Sequence, residues 1–157
     1  MIRHFYLAAV VASLLLPARR VEAEEAVPGT YGQQVVAAVL MAEAWGEGEK
    51  AMIAVAEVVR LRADQSGLSP LAVVLKPRQF TCLNRTTPEK LIRRFSGHPD
   101  FKASVAIARR MYNRPETLPG HSGGATHFER VGNRAYWTRG HQPVATIGLL
   151  AFYRLPR

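Results

Sequence analysis

A single cysteine, Cys82, occurs in 157 residues, so neither an intramolecular disulfide framework nor a cluster of Cys metal ligands can hold this chain together. Packing must do so. Long apolar runs are also missing: the uncharged run over residues 5–16 falls short of the ~20 residues a helix needs to cross hydrocarbon. A permanent transmembrane anchor is therefore not expected. Acidic side chains are few, 12 against 21 Lys and Arg, for a formal charge of +9. That balance suits an acidic polymer, an anionic membrane surface or nucleic acid, and does not choose among them. What is present is ample apolar residue, 48% of the chain with 21% charged. This is enough for one packed core and one domain, and too hydrophobic for an intrinsically disordered chain. The chain has no internal repeat and no low-complexity tract.

The first residues read as an export signal. Met1-Ile2-Arg3-His4 is a short basic start, residues 5–16 are apolar, and Val21-Glu22-Ala23 places small residues three and one before a cleavage point. Removal of residues 1–23 takes away three basic and one acidic side chain and leaves 134 residues with a formal charge of +7. Export lowers the odds of a nucleic-acid partner and favours an anionic cell envelope. Residues 24–35 then read as a short lead-in, and residues 36–154 as the functional domain.

The domain reads as α+β and mainly helical. Val35, Val36, Val39 and Leu40 recur at helical spacing between Gln33 and Trp45, a stripe expected to face the core, and Glu43 extends it by one turn. A second helix is expected over 49–63 after the glycine-flanked Glu47. Ser69-Pro70 and Thr87-Pro88 each set a capping side chain before a proline, predicting helices at 70–75 and 88–95. Pro99-Asp100 opens another to about Tyr112, and residues 77–85 form a loop. Beyond Pro119 the character changes. Segments 126–130 and 134–138 flank Gly132-Asn133 and predict a β-hairpin in the C-terminal third, with an apolar, partly extended segment at 147–154.

Glu43 stands out chemically. A carboxyl group on the apolar face of a helix, just before that helix breaks at Gly46, is costly to keep charged and suits a general acid. Glu47, four residues on, competes for the role, but its glycine neighbours leave its direction open and predict a wetter side chain. His121, His127 and Glu129 offer donors for zinc, although no helical His pair supports them; His127 reads better as a cleft residue that hydrogen-bonds substrate. Tyr136, Trp137, Phe152 and Tyr153 are candidates for an aromatic floor, of which two are expected to be buried packing, with Gln79 beside it. Arg93-Arg94 and Arg109-Arg110 are expected on wet helix faces.

Four dispersed motifs carry a resemblance. Ala42-Glu43-Ala44-Trp45-Gly46-Glu47 with Ala54-Val55-Ala56-Glu57-Val58-Val59, then Gln79-Phe80-Thr81-Cys82, then Gly124-Ala125-Thr126-His127-Phe128, then Trp137 and Ile147-Gly148 with Phe152-Tyr153-Arg154, resemble the SleB-type cell-wall hydrolases. The resemblance implies a lysozyme-like, peptidoglycan-cleaving domain with its catalytic carboxylate at Glu43, and Glu47, Gln79, His127, Trp137 and Tyr153 as substrate-binding or supporting residues. It implies no cofactor and no metal. The chain departs from the pattern at Leu61, where the family has Asn, and at Leu150, where it has His. Glycosidic cleavage normally uses two carboxyl groups about 5–9.5 Å apart, and no convincing second one is evident. A single Glu acting as acid and then base fits the lytic transglycosylase route. A non-catalytic peptidoglycan-binding wall module and a zinc-dependent wall hydrolase remain the alternatives.

Overall fold

A computed structural model describes residues 29–133 and 135–156; the proposed export signal and the start of the lead-in lie outside the described residues. Helix α1 (Tyr31–Ala44) begins inside the segment read as lead-in. Its start follows from Thr30, whose hydroxyl accepts from the Gln33 backbone N–H while the Gln33 side chain accepts from the Thr30 N–H. The two interactions satisfy N–H groups that a first turn leaves open. The stripe of Val35, Val36, Val39 and Leu40 faces the core as expected, and Ala37 and Ala38 between them are wholly buried too. A helix apolar all round is a core helix, and α2 (Glu49–Ser66), α3 (Pro70–Leu75), α4 (Pro88–Phe95) and α5 (Phe101–Asn113) surround α1. Even the α5 hydroxyl of Ser104 is spent on it, donating to the Ala37 carbonyl at 2.8 Å.

Helices α3 and α4 start where their caps predict, with the Ser69 and Thr87 hydroxyls accepting from Ala72 N–H and Lys90 N–H. Between α1 and α2 the chain makes a single tight turn over Trp45–Glu47 and reverses at Gly48, whose φ of +85° is open to glycine at little cost. Glu43 therefore sits where α1 emerges from the core.

The C-terminal part forms a three-stranded antiparallel sheet in the order β1 (His127–Arg130), β3 (Leu150–Tyr153), β2 (Ala145–Ile147). The hairpin expected across Gly132-Asn133 is corrected. β1 pairs with β3, His127 opposite Tyr153 and Arg130 opposite Leu150, while residues 136–138 form a helical turn. Burial decides the pairing: all four residues of β3 are buried, whereas Tyr136 is 81% exposed and would bury little as a partner. Phe152 is wholly buried, with Phe128 packed 5.8 Å away and Phe80 6.3 Å beyond it. This aromatic line seats the sheet on the helices. Among the described residues, no helix is long and apolar enough to cross a membrane.

Candidate active site

The end of α1 opens into a cavity of about 430 Å³ lined by Glu43, Trp45, Glu47, Thr81, Cys82 and Arg130 among others. The half-buried Glu43 offers one carboxyl oxygen to the Thr81 hydroxyl and to the Cys82 backbone N–H, both at 3.3 Å. Both contacts are long for hydrogen bonds and leave the rest of the group facing the cavity. Burial, reinforced by the neighbouring Glu43 carboxylate, pushes the Cys82 thiol well above its ordinary pKa, so the sulfur stays a neutral wall beside the carboxyl group.

Glu47 shares the cavity, but its setting corrects the expectation of a wet side chain. Only 14% of that side chain is exposed. One oxygen accepts from the Leu149 N–H at 2.9 Å and the other faces the Arg130 guanidinium at 3.5 Å. Gly148, at φ +54°, makes this approach possible, because a Cβ there would collide with the Glu47 carboxylate. Glu47 thus clamps the α1–α2 turn to the β2–β3 turn.

Gln79 and His127 line a second cavity of about 290 Å³ together with Arg62. Arg62 organises it: its Nε donates to the Thr126 carbonyl at 2.6 Å and its Nη1 to the Gln79 side chain at 3.2 Å, while the guanidinium lies over Phe80, 5.9 Å from the ring centre. Burial, with a smaller contribution from the Arg62 charge, holds the His127 imidazole below its ordinary pKa and so favours the neutral ring. The two cavities are lined by neighbouring stretches of chain. Gln79 lines one and Thr81-Cys82 the other, and β1 carries His127 at one end and Arg130 at the other.

The C-terminal aromatics divide. Phe152 and Tyr153 are buried, whereas Trp137 is half-buried and contacts both His127, tilted and 5.3 Å away, and Tyr153, edge-to-face and 5.6 Å away. Tyr153 therefore supports Trp137 from below. The Glu43 cavity has the buried Phe95 and the 44% exposed Trp45 in its lining, the Trp45 indole N–H donating to Asp100 at 2.7 Å and its ring 4.6 Å from that of His98. Among the described residues, no group of three His, Cys, Asp or Glu side chains is placed to hold a metal ion. His121 belongs to a loop bound by α2, while the His127 ring packs on Trp137 with Nδ1 3.0 Å from the Thr126 hydroxyl.

Glu57, within the motif segment Ala54-Val55-Ala56-Glu57-Val58-Val59, carries no role that its sequence alone assigns. It is a carboxylate in mid-α2, 9% exposed, that accepts backbone N–H groups from Gly120 at 2.7 Å, His121 at 3.0 Å and Ser122 at 2.7 Å. The available signal was a lone acid inside the apolar run Val55-Ala56-Glu57-Val58-Val59. Such a charge stays buried only with matching donors.

Residues 46–153 match a family model described as Cell Wall Hydrolase. The matched span contains Glu47, Gln79, His127, Trp137 and Tyr153 and begins three residues after Glu43. No curated protein and no solved structure matches the chain.

Proposed function

The chain belongs to the cell wall hydrolase family, an enzyme family acting on peptidoglycan, and from that premise we propose that it cuts the glycan strand as a SleB-type, lysozyme-like lytic transglycosylase, with Glu43 as acid and then base. The observation that carries this reading is the division of labour between the two carboxylates of one cavity. Glu47 is committed to the Leu149 N–H and faces Arg130, whereas Glu43 has only long contacts. Cleavage needs a proton delivered to the glycosidic oxygen as the bond to the anomeric carbon breaks. Glu43 supplies it. The resulting carboxylate, steadied by Thr81 and the Cys82 N–H, then takes the proton of the substrate's own C6 hydroxyl as that oxygen bonds to the anomeric carbon. The sum is a 1,6-anhydro sugar with no water consumed.

Gln79, His127 and Trp137 extend the groove as substrate contacts, and the excess of positive charge favours retention on an anionic wall after export. The test uses purified sacculi with excess chelator. The wild-type protein should release muropeptides, Glu43→Gln should lose at least the ~10²-fold that acid–base catalysis supplies, and Glu47→Gln should lose less. A dead Glu47→Gln beside an active Glu43→Gln would exchange their roles, and activity abolished by chelator and restored by zinc would favour a metal-dependent hydrolase.

A further inference from the structure

The molecule carries an apolar groove of about 410 Å³ that the reading above does not use. It runs between the end of α4 and one face of α5, where Ile92, Phe101, Val105 and Ala106 form its walls and Lys102 and Arg109 its charged side. No Asp or Glu is found among the described residues that line it. The groove adjoins the Glu43 cavity. Arg94 and Phe95 line the cavity while Ser96 and His98 line the groove, and the Trp45 and His98 rings meet at 4.6 Å as the ridge between them.

We propose that this groove is the subsite for the peptide stem of the same glycan strand whose sugars lie at Glu43. The inference rests on the reading of that cavity as the glycan-cleaving site. A stem is a short peptide in which alanine methyl groups alternate with charged residues carrying free carboxylates, hung from a lactyl ether on every second sugar. When the sugar backbone occupies the cavity, its stem leaves sideways, and the space beyond the Trp45 ridge receives it. The chemistry matches on both counts. Phe101, Val105 and the exposed Ala106 offer an apolar floor, and exposed Lys102 supplies a cation for a carboxylate. Lys102, Ala106 and Arg109 stand at i, i+4 and i+7, so one face of α5 presents positive charge on either side of an apolar contact. The volume lies within the range of small-ligand sites, roughly 300–1,000 Å³.

The test compares kcat/KM on glycan strands that keep their stems with kcat/KM on strands stripped of them by an amidase. The wild-type protein should prefer stem-bearing strands by about tenfold, the equivalent of ~1.4 kcal/mol, expressed mainly in KM. Lys102→Glu reverses the charge and Ala106→Trp fills the floor at an exposed helical position, so each should bring the ratio toward one. Two independent surface changes keep the test valid if one variant misfolds. A wild-type ratio of one overturns the proposal, including the case in which residues before Gly29 occupy the groove, and so does a preference retained by both folded variants. A wild-type protein that cuts neither substrate overturns the glycan-cleaving reading itself, a failure distinct from a lost preference.

Discussion

Glu43 and Glu57 are both carboxylates in core helices, and their surroundings are opposites. Glu43, at the emerging end of α1, has two contacts of 3.3 Å and faces a cavity. Glu57, in the middle of α2, takes three backbone N–H groups at 2.7–3.0 Å from residues 120–122. Charge-assisted bonds of that length hold a loop in place and leave the carboxylate nothing further to do. Fewer and longer contacts beside open space are the surroundings that the proposed role of Glu43 requires. On the proposed reading, it is the density of donors around each acid that separates the structural Glu57 from Glu43.

The strongest way to break that comparison is to neutralise each acid and read activity and stability together. Glu43→Gln should remove activity by ~10²–10⁴-fold with urea unfolding unchanged. Glu57→Ala should instead destabilise by about 2–4 kcal/mol, because the buried Ser122 N–H and the part-buried Gly120 and His121 N–H groups lose their acceptor, at ~1–3 kcal/mol for a fully buried one and less for those that water reaches. Activity would then fall only as far as the loop leading to β1 loosens. A stable Glu57→Ala protein would remove the distinction.

A smaller effect sharpens it from the other cavity. The fold holds His127 below its unfolded pKa of about 6.5 through burial and the Arg62 charge. Below that value the unfolded chain binds the proton more readily than the native protein does. This contribution to stability is present above pH ~6.5 and is lost as pH falls toward the depressed native value. His127→Gln should flatten the fall in stability on acidification and leave stability above pH ~7 independent of this titration. An unchanged slope would mean that the imidazole is not desolvated in solution.

The helical part was legible because its signals are local. Ser69-Pro70 and Thr87-Pro88 mark caps whose hydrogen bonds close within three residues, and both helices begin there. The buried middle of α1 was readable only as a helix, since a run such as Val35-Val36-Ala37-Ala38-Val39-Leu40 does not say how many neighbours will cover it. The sheet was less legible. Gly132-Asn133 carries a turn signal that favours pairing next door, but β1 gains more buried apolar area from β3, twenty residues on. Site residues followed the same rule. Glu43 stood out by its place at a helix end, whereas Arg62, Trp45 with Asp100, and the clamp on Glu47 depend on partners 17 to 102 positions away. No spacing rule encodes such contacts.

The proposed chemistry needs a single exchangeable carboxyl group at the mouth of α1, and the mass of the products tests it most directly. Muropeptides released from sacculi by the wild-type protein should carry 1,6-anhydro ends, each lighter by one water than a reducing end. Their release should disappear in a folded Glu43→Gln variant. Products with reducing ends would show that water enters the reaction, and would contradict the assignment of both proton transfers to Glu43 and the substrate's own hydroxyl.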